Sequence, residues 1–172
     1  EQPTAESEGQ AIHRDFQEYF YGLFRRAFDC SGYDLILTVM RFQGVHDARW
    51  DPFEESLEAI DDCNWLLKKS DERSERCTLR VGLLLYCHLI EMTAVQEMLA
   101  NILRVMDGKP WIVSPFHHLR KGKKPLSISA KYAEIRTLAQ KVGETKLCDY
   151  LDSFLNEDIR NAFSHSDYIF TD

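Results

Sequence analysis

Six consecutive residues, Arg160-Asn161-Ala162-Phe163-Ser164-His165, place a permanent cation, an amide and a titratable imidazole close together late in the chain. A guanidinium stabilises a phosphate through a fork of N–H donors, and an imidazole moves protons near neutral pH. The combination points to binding or chemistry on a phosphodiester. Spacing alone is a weak signal. Arg41 and His46 stand at the same separation, and 12 Arg and six His in 172 residues give roughly 0.4 such pairs by chance. The later copy is set apart by its context. It follows a helical periodicity, has Asn after Arg, and runs into Ser166-Asp167-Tyr168.

The elements that must position these residues read as helices. Ile12, Phe16, Tyr19, Phe20, Leu23, Phe24 and Phe28 recur at helical spacing, and Ser31-Gly32 is a stop. Residues 33–42 fit a short helix or a strand. Asp51-Pro52-Phe53-Glu54 is a helix start that puts Phe53, Leu57, Ile60, Asn64 and Leu67 on one face. One long helix is predicted from Cys77 to Met106, apolar all round in its Leu83–Ile90 stretch and therefore buried on several sides. Asp107-Gly108-Lys109-Pro110 ends it, and residues 109–126 form a long basic loop. Ile128, Tyr132, Ile135, Leu138 and Val142 mark the next helix, with Gly143 at its end. Leu147 to Leu155 form another. Asn156 either caps a last helix or lies within a continuing one, and Ile159, Ala162 and Phe163 give its inward face. The reading is an all-α, up-and-down bundle of five or six helices over residues 11–172, behind a disordered polar segment 1–10.

Composition narrows the function classes. The chain carries a net charge of −7, against a general nucleic-acid binder. The charge is uneven, however. Residues 1–86 hold 17 acidic and 10 basic residues, and residues 109–146 hold two acidic and nine basic. Arg120, Lys121, Lys123 and Lys124 in that basic stretch are candidates for an electrostatic track along RNA, or simply a solvated loop. Five cysteines without a C-x-x-C pair argue against a disulfide framework or zinc module and fit reduced thiols in a cytoplasmic chain. No metal or cofactor is expected, since His117-His118 lacks a third ligand at a diagnostic spacing. The longest apolar run, Val81 to Met92, is short for a membrane span and contains His88 and Glu91. Those two are three apart on a helix and can pair, or can stand behind Arg160. Trp50, Trp65 and Trp111 read as core or interface.

Ile159-Arg160-Asn161-Ala162-Phe163-Ser164-His165-Ser166-Asp167-Tyr168 resembles the motif of the HEPN superfamily, an Arg followed by a polar residue and then a His on the last core helix. The helix around Tyr86-Cys87-His88-Leu89-Ile90-Glu91, followed by C-terminal helices, is similar to the family's bundle, so the resemblance covers about residues 75–172. It implies a homodimer whose two motifs face a shared cleft. Many members are metal-independent ribonucleases, often toxins paired with an antitoxin, and others are non-catalytic binding modules. Carried onto this chain, Arg160, Asn161 and His165 are the catalytic candidates, with His88 and Glu91 behind them. Helix geometry constrains the idea. Residues five apart are separated by roughly 140° around the axis, so Arg160 and His165 do not share one narrow face.

Overall fold

The computed structural model describes residues 8–40, 52–70, 75–120, 126–165 and 169, and these form an all-α bundle without strands. The α-helices are α1 (Glu8–Cys30), α2 (Gly32–Val39), α3 (Pro52–Ser70), α4 (Glu75–Glu91), α5 (Thr93–Met106), α6 (Ile128–Lys141), α7 (Thr145–Phe154) and α8 (Glu157–Ser164), with a single 3-10 turn at His117–Leu119. Eight helices stand among the described residues where five or six are expected. The difference comes from an unforeseen break at Met92 and from two segments left open in the sequence, residues 33–39 and the stretch after Asn156, which form helices of their own. Of the expected disordered segment, residues 8–10 belong to α1 and residues 1–7 lie outside the described residues, as do Arg41, His46, Trp50 and Asp51.

The ambiguous segment is helix through Val39, while Arg41 and Phe42 lie outside the described residues. The Ser31 hydroxyl accepts the Asp34 N–H (3.3 Å) and donates to the Asp34 carboxylate (2.6 Å), so it caps α2. At Gly32 a Cβ would sit 2.9 Å from the Phe28 ring, so a larger residue would displace that exposed side chain. Asp34 also accepts the Trp111 N–H (3.0 Å) and so ties α2 to the segment after α5. The Ser31 hydroxyl and then the Trp111 N–H hold the Asp34 carboxyl below the usual carboxylate range. A depressed carboxyl adds stability above its unfolded value and loses it as pH falls through the folded one. Asp34→Asn should therefore lower the denaturant midpoint at pH 7. The gap to the wild type should close below about pH 4.

α5 is the buried centre. Gln96, Leu99, Ala100, Asn101, Ile102, Leu103 and Val105 are all buried. One side packs Ile102 against Leu23, Ala27 and Leu35 of α1 and α2. The other packs Leu99, Ala100 and Leu103 against Tyr132, Ile135, Leu138, Leu147 and Leu151 of α6 and α7. Leu103 is 0% exposed, so Leu103→Ala should cost about 2–5 kcal/mol in equilibrium unfolding. The expected burial of Leu83–Ile90 on several sides is corrected. Leu79 and Leu84 are exposed, and α4 buries only Cys87 and Ile90.

The single helix expected over 77–106 is also corrected. α4 and α5 meet at a 43° bend at Met92. The bend frees the Ile90 carbonyl, which accepts from the Gln96 side chain (2.7 Å) and the Tyr132 hydroxyl (3.2 Å). Those partners satisfy a backbone group that a buried break would otherwise orphan. Gly108 and Gly143, both at positive φ, close α5 and α6. No single helix among the described residues is long and apolar enough to cross a membrane.

α1 is fastened to the α6–α7 turn. Arg26 donates two bonds to Glu144 (2.7 and 2.9 Å), and the Tyr19 hydroxyl donates a third (2.9 Å). Burial, then the Glu144 bond, pushes the Tyr19 phenol upward, so it stays a donor. This clasp fixes the start of α7, which in turn carries α8.

Candidate functional site

Asn156 begins the last helix. Its side chain accepts the Ile159 N–H (3.0 Å), while Glu157 and Asp158 place negative charge at the positive end of the helix. The Tyr86 hydroxyl on α4 accepts the Asn156 N–H (2.8 Å) and donates to the Phe154 carbonyl (2.9 Å). Its ring meets Phe154 edge-on, with centroids 5.7 Å apart. Tyr86 thus pins the α7–α8 corner, a role without a local signal because its partners lie about 70 positions away. Ile159, expected inward, is 43% exposed.

Arg160 reaches back from α8 to α4. Its Nε lies 2.8 Å and a terminal nitrogen 2.6 Å from one Glu91 carboxylate oxygen, and its other terminal nitrogen donates to the Asn161 side chain (3.0 Å). A guanidinium has five N–H donors, and its contacts among the described residues use three of them. The Arg160 and Glu91 side chains are 30% and 44% exposed. An ion pair in such contact with water is worth about 0.2–1 kcal/mol. A pair this weak leaves the guanidinium open to competition from a phosphate, which also accepts from its planar fork.

Arg160 and Asn161 line a cleft of about 70 Å³ with Asn156, Glu157 and the first turn of α6, Ile128 and Ser129. The Ser127 hydroxyl caps that turn by accepting the Ala130 N–H (3.2 Å). Partial positive charge at a helix N-terminus favours an anion. The cleft is well below the roughly 300 Å³ of ordinary small-ligand sites. Within one subunit it holds a phosphate-sized group and little else.

His165 is the C-cap of α8. Its backbone N–H donates to the Asn161 carbonyl (3.0 Å) and its side chain is exposed. It does not line the Arg160 cleft, in keeping with the angular separation of five helical positions. His88 and Glu91 diverge as well. The His88 imidazole lies 3.3 Å from the Ser56 carbonyl on α3, while Glu91 turns to Arg160 and is exposed rather than interior. Cys87 lies under the ion pair. Burial pushes its thiol up, Glu91 adds to the shift and Arg160 offsets it, so it is a poor nucleophile.

Of the basic cluster, Arg120 is exposed just after the 3-10 turn, and Lys121, Lys123 and Lys124 lie outside the described residues. His118 pairs with Glu134 (3.1 Å). Among the described residues no group of three or more His, Cys, Asp or Glu side chains is arranged to hold a metal ion. Trp65, expected in the core or an interface, is 60% exposed. Compared with known proteins, the chain matches no family model, no curated protein and no solved structure.

Proposed function

We propose that this chain is an HEPN-like RNA-binding domain that cleaves RNA by internal transesterification, as a toxin or defence component of the cytoplasm. The observation that carries the reading is the Arg160 guanidinium, held by Glu91 and Asn161 in a cleft facing the first turn of α6. The working unit is a homodimer. His165 stands outside its own subunit's cleft, and a partner supplies the missing imidazole across a two-fold axis. Phe154 and Ile159, both exposed apolar residues at the α7–α8 corner, provide contact area for that pairing.

In the reaction, His165 takes the proton of a ribose 2′-hydroxyl and O2′ attacks the adjacent phosphorus. Arg160 stabilises the charge that gathers on the non-bridging oxygens. The P–O5′ bond then breaks, and the departing oxygen takes a proton from the imidazolium just formed or from water. The products are a 2′,3′-cyclic phosphate and a 5′-hydroxyl. Arg120 and the lysines after it contribute phosphate contacts without sequence preference. An antitoxin would bind over the same cleft.

A non-catalytic reading, a dimerisation or nucleotide-binding module, draws on the same ion pair. There Arg160–Glu91 is a strut between α4 and α8. The two separate in one assay, incubation of the folded protein with RNA in excess chelator. The nuclease leaves cyclic-phosphate ends and spares the 2′-deoxy strand. The binding module leaves both strands intact.

A further inference from the structure

A second and much larger depression lies between the end of α5, the segment before the 3-10 turn, and α6. Its volume is about 420 Å³, which falls inside the size range of small-molecule sites. Arg104, Lys109, His117 and His118 line it with donors, and Ile112 and Leu138 give it an apolar wall.

Its walls are held in place. The Asn101 side chain donates to the Ile112 carbonyl (2.9 Å) and accepts the Ile112 N–H (3.2 Å), so the segment cannot slide on α5. Pro115 and Phe116 are buried beneath the turn that carries both histidines. Such fixed walls lower the ordering cost of binding.

The charge balance favours an anion. Glu134 is the carboxylate lining the cleft, and it already pairs with His118 (3.1 Å). Lys109 pairs with Asp107 (2.8 Å), but that carboxylate is shared with Lys141 (2.5 Å), so two ammonium groups divide one negative charge. Arg104 is the least satisfied. One terminal nitrogen reaches the Pro110 carbonyl at 3.4 Å, and its buried Nε has no acceptor among the described residues. A buried charged donor without an acceptor is unfavourable. Because its one tether is long, a small rotation brings the guanidinium fork onto a bound anion.

We infer that this cleft is a binding site for a small phosphomonoester, with the phosphate on Arg104, Lys109 and His117 and the organic body against Ile112 and Leu138. The site is separate from the Arg160 cleft and does not depend on RNA cleavage.

Calorimetric titration of the folded chain with phenyl phosphate, inorganic phosphate and benzyl alcohol tests this. Phenyl phosphate should bind saturably and more tightly than inorganic phosphate, and benzyl alcohol should not bind. Arg104→Gln should weaken phenyl phosphate about tenfold or more, which is the loss of one charged contact. His117→Ala, at an exposed position, should weaken it several-fold and gives a second readout should Arg104→Gln fail to fold. Lys68→Gln, on the exposed face of α3 away from both clefts, should bind as the wild type does. The inference is overturned by absent saturable binding, by affinity unchanged in folded Arg104→Gln and His117→Ala, or by an equal loss in Lys68→Gln.

Discussion

His165→Ala should lower RNA cleavage by about 10²–10⁴-fold, the usual contribution of a positioned proton-transfer group. The denaturation midpoint should stay at the wild-type value. Both halves of that expectation come from the position of the residue. The imidazole is exposed at the end of α8, and only the backbone of His165 caps the helix, through the Asn161 and Phe163 carbonyls. Alanine keeps that backbone bond and removes no core contact. A fold-independent loss of activity therefore assigns the imidazole to chemistry. Rates measured beside urea melts of the same preparations decide the point.

Arg160→Ala should cost about 10²–10³-fold in cleavage, in line with removing one preorganised donor set from a developing oxyanion. Its effect on stability is a separate quantity. Losing the exposed Glu91 pair should cost no more than about 1 kcal/mol. Arg160→Lys is the sharper variant. A lysine keeps the charge and can still meet Glu91, but it lacks the planar fork that would hold Glu91, Asn161 and a phosphate together. Stability should return close to wild type in Arg160→Lys while cleavage stays well below it. If Arg160 were only a strut, stability and cleavage would recover together. Initial rates with a short RNA in chelator, paired with melting curves, separate the two roles.

Local signals located most helices. The Pro52 start of α3 and the glycines after α5 and α6 are punctuation that a sequence displays openly. The choice between helix and strand at residues 33–42 stayed open, because its apolar run fits either period, and the Ser31 cap on Asp34 decides it for the described part, α2. The break at Met92 was not legible either. Thr93-Ala94-Val95-Gln96 has the spacing of a capping box, but such a match inside an apolar run is a weak signal. The N-cap Met92 makes no side-chain cap bond, and the groups that make the break tolerable include Tyr132, 42 positions away. The core was misassigned for a related reason. Both α4 and α5 are apolar, and hydropathy does not say which is sandwiched between α1–α2 and α6–α7.

The site divides along the same line. Arg160 and Asn161 were found from their types and order, and the angular offset of His165 followed from helix geometry. The pairing of Arg160 with Glu91 spans 69 positions, and Tyr86 holds the α7–α8 corner across a similar distance. Such contacts exist only once the bundle has formed. His88 shows the converse. Its spacing from Glu91 was correct for a pair, yet the nearby α3 backbone carbonyl at Ser56 takes the imidazole instead.

The measurement that bears most directly on a shared phosphate is a double-mutant cycle in chelator with Arg160→Ala, His165→Ala and the combined variant. Groups acting on one reacting phosphate are strongly non-additive. The double variant should be about as slow as the slower single one. Losses that multiply, or folded single variants that cleave like the wild type, would contradict a common site for the guanidinium and the imidazole.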